Sequence, residues 1–249
     1  AKHAEAVAAY GGIPILLDLD RDKVNRMAED LSQKYDCQAL GFAVDITEEQ
    51  QVRDNANQIM MRLGRIDGLV NNAANNPQVS IEAQKAFSRL ENFSLTQWND
   101  DINVGLTGAF LCSKNYGLKI AKNADGGVIL NISSDLGLVA PDQRLYSNDV
   151  SNPINDVKPV TYSVVKTGLI GLTRYLATYW VNENVRCNAI CPGGVENRQH
   201  DEFLKKVKLR IPMKRLAKTY EFQGTLIWML SDASSYLNGA IVPVDGGRT

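Results

Sequence analysis

The chain has 249 residues, which at the usual ~100–200 residues per domain means one large domain or two small ones. Its 27 Lys+Arg against 28 Asp+Glu leave a formal net charge of -1, so no global basic field is available for nucleic acid or an anionic membrane. A 44% hydrophobic and 22% charged composition fits a globular protein and excludes a disordered one. No apolar run approaches the ~20 residues that span a bilayer. The opening stretch Ala1–Tyr10 is amphipathic, unlike a secretory leader. Cys37, Cys112, Cys187 and Cys191 form no CxxC pair and only two histidines accompany them. The pattern argues against a metal site or a disulfide framework and fits a reducing cytoplasm.

Short β-branched runs alternate with longer stretches of helical period. The pattern predicts a strand over Ile13–Leu17, then a helix over Arg21–Lys34 capped by Asp20. A strand over Ala39–Val44 and a helix over Glu48–Leu63, capped by Thr47, come next. The strand Ile66–Asn71, a helix from about Thr96 to Lys122 and the strand Gly127–Ile132 follow. A helix from about Val160 to Asn182 leads to strands Val185–Ile190 and Ala240–Val244, with helical segments around Asp201–Lys208 and Tyr220–Leu230 between them. Strands separated by helices imply βαβ crossovers. The expected fold is α/β, a doubly wound parallel sheet of Rossmann type, with residues 1–249 forming one domain. In such sheets ligands bind at the carboxyl ends of the strands. Those ends deliver Asp45, Asn71-Asn72-Ala73-Ala74, Ser133-Ser134 and Cys191-Pro192-Gly193-Gly194, a polar lining suited to a polar cofactor.

Tyr162 and Lys166 stand four residues apart on a predicted helix, so the ammonium can approach the phenol. A phenol titrates near ~10, and a nearby cation lowers that value, making a usable general acid/base. Alone, Y-x-x-x-K is a weak signal. Its company includes Asn71-Asn72-Ala73-Ala74, Asp101-Ile102-Asn103-Val104-Gly105, Asn131-Ile132-Ser133-Ser134-Asp135-Leu136-Gly137, Asn188-Ala189-Ile190-Cys191-Pro192-Gly193-Gly194-Val195 and Val244-Asp245-Gly246-Gly247. In this order the set resembles the short-chain dehydrogenase/reductase family along the whole chain.

The resemblance implies an NAD(P)(H)-dependent oxidoreductase that interconverts a secondary alcohol and a ketone. It makes Tyr162 the acid/base and Lys166 the residue that depresses its pKa and holds the nicotinamide ribose. Ser134 becomes the serine that meets the substrate oxygen, and Asn103 the asparagine that holds a relay water. Ser133 is the neighbouring control. It further implies cofactor contacts at Asp18, Asp45 with Ile46 beside it, Asn72, Ala73, Ala74, Tyr162, Lys166, Pro192, Gly193 and Val195, with Asn197 where the family often has Thr. Asp18 at a strand end favours NAD(H), because a 2′-phosphate would meet a carboxylate; Arg21 leaves room for NADP(H). No metal is implied. A homodimer or homotetramer is.

Two departures stand out. A first strand followed by T-G-x-x-x-G-x-G is missing from these residues, and that strand would lie between Ile13–Leu17 and Ile66–Asn71. The expectation is a natural polypeptide that extends upstream, to be tested by intact mass. Ser134 and Tyr162 also lie farther apart than the family pattern, with residues 138–159 as a candidate substrate lid carrying Arg144, Tyr146 and Lys158. Arg144 and Tyr146 are candidate substrate contacts, and replacing Arg144 is expected to raise the KM for a sugar phosphate. The stretches Ala140–Tyr146 and Pro159–Lys166 resemble a bacterial subgroup linked to surface-polysaccharide and flagellin-sugar biosynthesis, which points to a sugar or sugar-derived substrate. Two alternatives stay open: an acyl-carrier-protein ketoreductase using NADPH, and a non-catalytic member retained for assembly.

Overall fold

A computed structural model describes residues 2–75, 88–146, 157–197 and 199–249. All strand pairs are parallel. β1 (Ile15–Asp18) pairs with β2 (Leu40–Ala43). In a second ladder, β3 (Gly68–Asn71), β4 (Gly127–Ile132), β5 (Val185–Pro192) and β6 (Ile241–Val244) pair in that order. Among the described residues β1 and β3 are not paired with each other, at the place where the sequence pattern puts a further central strand. Each strand there keeps one unpaired edge.

Helices cover both faces, as parallel crossovers require. Strand alternation sends Ile129 to one face and Val128 and Leu130 to the other. On the first face Ile129 packs with α3 (Glu49–Leu63), α5 (Gly108–Ile120) and α6 (Val160–Tyr179) through Val52, Ile59, Ile120 and Leu176. On the second, Val128 and Leu130 meet Ala6 of α1 (Lys2–Ala9) and Leu226 and Met229 of α8 (Gln223–Leu230). Ala8 of α1 joins Leu16, Val24 and Leu31 of α2 (Arg21–Tyr35) beside the β1–β2 pair. Ile129 has no exposed surface, so truncating it to Ala would cost about 2–5 kcal/mol.

Local signals set most boundaries. Asp20 caps α2, accepting from the Lys23 N–H at 3.0 Å. Thr47 does not cap α3: the N-cap is Glu48, with no side-chain bond, while Thr47 donates its hydroxyl and N–H to Asp45 Oδ1 at 2.7 and 2.9 Å. The helix expected over residues 96–122 is interrupted. α4 (Leu95–Ile102) passes into a π turn at Asn103–Thr107 before α5 begins. Such turns insert an extra residue into a helix and are frequent at functional sites.

The carboxyl ends of β3 and β4 are tied to the helices by buried amides. Asn71 Nδ2 donates to Asn131 Oδ1 at 2.8 Å and to Ser113 Oγ at 3.0 Å; Asn131 Nδ2 donates to Thr173 Oγ1 at 2.8 Å. Polar side chains without water must be paired this way. The network fixes β3, β4, α5 and α6 against one another beside the strand ends.

Candidate active site

β4 leads directly into the first part of the site. Ser133 Oγ donates to the backbone carbonyl of Lys166 at 2.7 Å, which anchors α6 to the strand end. Ser134 faces a different set of groups. Its hydroxyl donates to Asp135 Oδ1 at 2.8 Å and accepts from the Leu136 N–H at 3.2 Å. Gly137 has to be glycine for a steric reason: a Cβ there would lie 2.7 Å from Ser133 Oγ and 3.0 Å from the Lys166 carbonyl carbon. The S-x-x-G spacing is thus the close approach of this turn to α6.

α6 supplies Tyr162 and Lys166 one turn apart. The Lys166 ammonium lies 5.8 Å from the centre of the Tyr162 ring and donates to the Ile132 carbonyl at 2.8 Å. Lys158, just before the helix, lies closer, 3.8 Å from the ring centre. Burial pushes the Lys166 ammonium down to about 8, with Lys158 pushing the same way. Burial also lowers Lys158 to about 8, against an opposing pull from Asp135. Tyr162 differs from the expectation of a depressed pKa. Burial raises the phenol, the Ser134 hydroxyl pulls it down and Asp135 adds to the rise. Desolvation thus outweighs the Ser134 hydrogen bond in the chain alone, and Tyr162 is a protonated phenol at neutral pH.

The residues that the resemblance assigns to the cofactor lie at or just after the strand ends. Asp18 ends β1, with its carboxylate accepting from Lys23 Nζ at 2.9 Å and from the Asp20 N–H at 3.2 Å. Burial raises its pKa, yet these donors outweigh it and hold the carboxyl below its ordinary value. Asp45 is engaged locally by Thr47, and Ile46 packs on the core beneath α3 and α5. Asn72, Ala73 and Ala74 are exposed in the loop after β3. Pro192 ends β5, the Gly193 N–H donates to the Val244 carbonyl at 2.9 Å and Val195 bridges to Ala217. The Asp18 carboxylate, engaged by the exposed Lys23 and the Asp20 N–H, the small Ala73 and Ala74, and the Lys166 ammonium have the chemistry to meet the hydroxyls and close-lying backbone contacts of a dinucleotide.

A family model described as "Enoyl-(Acyl carrier protein) reductase" matches residues 1–249. A 3-oxoacyl-(acyl-carrier-protein) reductase of Aquifex aeolicus is 30% identical over 248 residues, covering 98% of this chain and 90% of the relative. The chain belongs to the short-chain dehydrogenase/reductase family. Members of this family are oxidoreductases of CH–OH groups that use NAD or NADP, and this chain is one of them. The post-translational flagellin modification protein A of Campylobacter coli is 28% identical over 238 residues, 95% of this chain and 88% of the relative, in keeping with the subgroup resemblance. In fold, the chain is similar to a gluconate 5-dehydrogenase from Burkholderia cenocepacia J2315 solved with NADP and tartrate. Their TM-score is 0.85 at 23% identity, covering 99% and 89% of the two chains.

Not every residue carried over from the family pattern is gathered at the phenol. Asn103 opens the π turn with an exposed side chain. The pocket beside Tyr162 is lined instead by Ala74, Asn75, Asp101, Gly105, Lys158 and Lys166, among others. The π turn sets Gly105 against Val165, where a Cβ would sit 2.6 Å from Cγ1. Arg144 also stands apart: its guanidinium is 70% exposed and bound to Asp142 at 2.9 Å. Asp142 in turn takes Arg210 at 2.6 Å, and Leu145 packs on Val207 of α7 (Asp201–Lys208). Residues 147–156 of the candidate lid lie outside the described residues. Tyr146 does lie inward, packed at 5.9 Å between ring centres on Phe203, its hydroxyl pushed up to about 12 by burial, with Arg248 opposing and Asp135 and Tyr162 adding.

The sequence pattern singled out neither Asp135 nor Arg248. Arg248 Nη1 donates to Asp135 Oδ2 at 2.6 Å, with side-chain exposures of 11% and 4%. The serine next to the phenol is therefore held by a carboxylate that is itself held by the C-terminal segment. Asp101 was also missed: it accepts from Thr161 Oγ1 at 2.5 Å and Gln97 Nε2 at 2.7 Å, fixing the start of α6 to α4. Among the described residues no group of three or more His, Cys, Asp or Glu could hold a metal ion, and no helix is long and apolar enough to cross a membrane.

Proposed function

We propose that this chain interconverts a secondary alcohol and a ketone on a sugar or sugar-derived substrate, with Tyr162 as acid/base and NAD(H) as the favoured cofactor. The observation that carries the reading is the shared corner of Ser134, Tyr162 and Lys166, formed by the end of β4 and the first turns of α6. A bound nicotinamide would supply or accept the hydride. Asp18 would hold the adenosine ribose, Asp45 and Ile46 would lie beside the adenine, Asn72, Ala73 and Ala74 would let the cofactor lie close to backbone, and Lys166, Pro192, Gly193 and Val195 would meet the nicotinamide half.

The chain's own groups then have distinct duties. As a protonated phenol, Tyr162 donates to the oxygen of a ketone. In the alcohol-oxidising direction it must first lose that proton, and Lys166 stabilises the phenolate that results. Ser134 donates to Asp135 in the chain alone and lies within hydrogen-bond reach of the phenol; turned toward the site, its hydroxyl would meet the substrate oxygen. Because the phenol is raised, oxidation should speed up with pH through and beyond neutrality, while reduction stays flat until the phenol ionises.

The test is a nicotinamide-fluorescence titration with NADH and NADPH, followed by turnover of polyols, sugars, sugar acids and sugar phosphates. Binding that favours NADH, with turnover of a carbohydrate alcohol, is the expected result. The similarity to the Aquifex aeolicus enzyme favours one second reading, a ketoreductase of 3-oxoacyl thioesters. NADPH preference with thioester turnover would select it. Failure to bind either dinucleotide would leave the non-catalytic alternative.

A further inference from the structure

Lys158 belongs to none of the duties assigned above. Its position is nonetheless fixed: its backbone N–H donates to Gln143 Oε1 at 2.8 Å, and Pro159, the N-cap of α6, follows. Its ammonium lies over the Tyr162 ring and lines one pocket with Tyr162 and Lys166. Two cations therefore face a single phenol.

The acidic groups nearby are already committed. Asp101, in the pocket wall, takes Thr161 and Gln97. Asp135, which acts on both Lys158 and Tyr162, is bound by Arg248 and Ser134. Among the described residues neither Lys158 nor Lys166 takes part in an ion pair; Lys166 has only the Ile132 carbonyl. Partly buried cations without counter-charges are unfavourable. The loss is recovered when a ligand brings the anion, and such perturbed cations mark functional sites. Under the reading above Lys166 serves the cofactor. Lys158 remains.

We propose that Lys158 anchors an anionic group of the substrate, a carboxylate or phosphate a few bonds from the reacting carbon. The substrate class is then a sugar acid, hydroxy acid or sugar phosphate, not a neutral polyol. The inference rests on the oxidoreductase reading for the identity of the reacting carbon. The anion subsite itself is a matter of charge and geometry. Lys158 replaces Arg144, whose guanidinium is already bound by Asp142 in solvent.

Paired substrates test it, using the full chain at saturating NAD+: gluconate against sorbitol, and glucose 6-phosphate against glucose. A charge-assisted hydrogen bond of this kind is worth about 10- to 100-fold, so kcat/KM should favour the anionic member by that factor. Lys158→Met should erase the preference, and Lys158→Arg should keep part of it. The better of the two anionic pairs identifies the carboxylate or the phosphate as the source. A second readout needs no turnover. Trinitrobenzenesulfonate labelling of Lys158, followed by peptide mass spectrometry, should be blocked by gluconate or glucose 6-phosphate and not by sorbitol. Equal kcat/KM for paired substrates, or an equal loss on both in Lys158→Met, overturns the proposal, as does labelling that no anion blocks. Anion protection without any dehydrogenase activity would keep the subsite and sink the oxidoreductase reading. Turnover of neutral alcohols without protection would do the reverse.

Discussion

At the β4–α6 corner Ser134, Asp135 and Lys166 are 4%, 3% and 6% exposed; Ser134 is held by its neighbour Asp135, and Asp135 and Lys166 by partners from distant parts of the chain. At the β1–β2 end the Asp18 side chain is 38% exposed and bound to Lys23, five residues on. The first region resembles a protein interior with polar contents; the second resembles a surface. The difference teaches where each function draws its precision. Chemistry on a phenol needs fixed, desolvated neighbours, and these also shift pKa values strongly. The ribose recognition proposed for Asp18 needs an accessible acceptor, whose exposed ion pair is weak enough for a ligand to displace.

Substitutions at the buried corner should therefore have large effects and those at the open end small ones. Tyr162→Phe removes the proton donor and should lower kcat by about 10²–10⁴-fold, while nicotinamide fluorescence still reports dinucleotide binding. Arg248→Met leaves Asp135 charged and unpaired in the interior, and should cost about 3–5 kcal/mol in urea unfolding. Adding Asp135→Asn to that variant should return part of the loss, because the two sites are coupled. Asn131→Leu takes one hydrogen bond from Asn71, which keeps Ser113, and one from Thr173, which keeps the Leu169 carbonyl, and should cost about 1–3 kcal/mol in all.

The open end offers the contrast. Lys23→Ala frees Asp18 from a partner that could also meet a 2′-phosphate, and should raise the NADPH dissociation constant about two- to fivefold relative to NADH. Arg144→Ala should change stability by no more than about 0.5 kcal/mol, and leave the KM for a sugar phosphate where it was, since Arg210 still holds Asp142. A large effect at Lys23 or a small one at Arg248 would erase the distinction between the two regions.

How much of this was legible from residues alone follows the same division. The strands could be read because buried parallel strands are short and β-branched, as in Val128–Ile132. The Tyr162–Lys166 pair could be read because four residues is one helical turn, and the serine turn because Gly137 leaves a local trace. Contacts across the chain left none. Arg248 and Asp135 are 113 positions apart, and Thr161 and Asp101 are 60 apart; neither pair follows any periodicity. The direction of the Tyr162 shift depends on how much water the fold removes, which no spacing encodes. The π turn that begins at Asn103 went unread because it leaves no mark in a hydrophobic pattern that runs through it.

That turn has a mechanical consequence. Between Asn103 and Thr107 the helical ladder carries one surplus residue. Five residues at the π repeat turn through about the same angle as four in an α-helix, so deleting one would let a regular helix run through with α4 and α5 nearly in phase. Asp101 would go on facing Thr161, while the widened turn that sets Gly105 against Val165 in the pocket wall would be lost. The tether would survive such a deletion, and the shape of the wall beside the phenol would not.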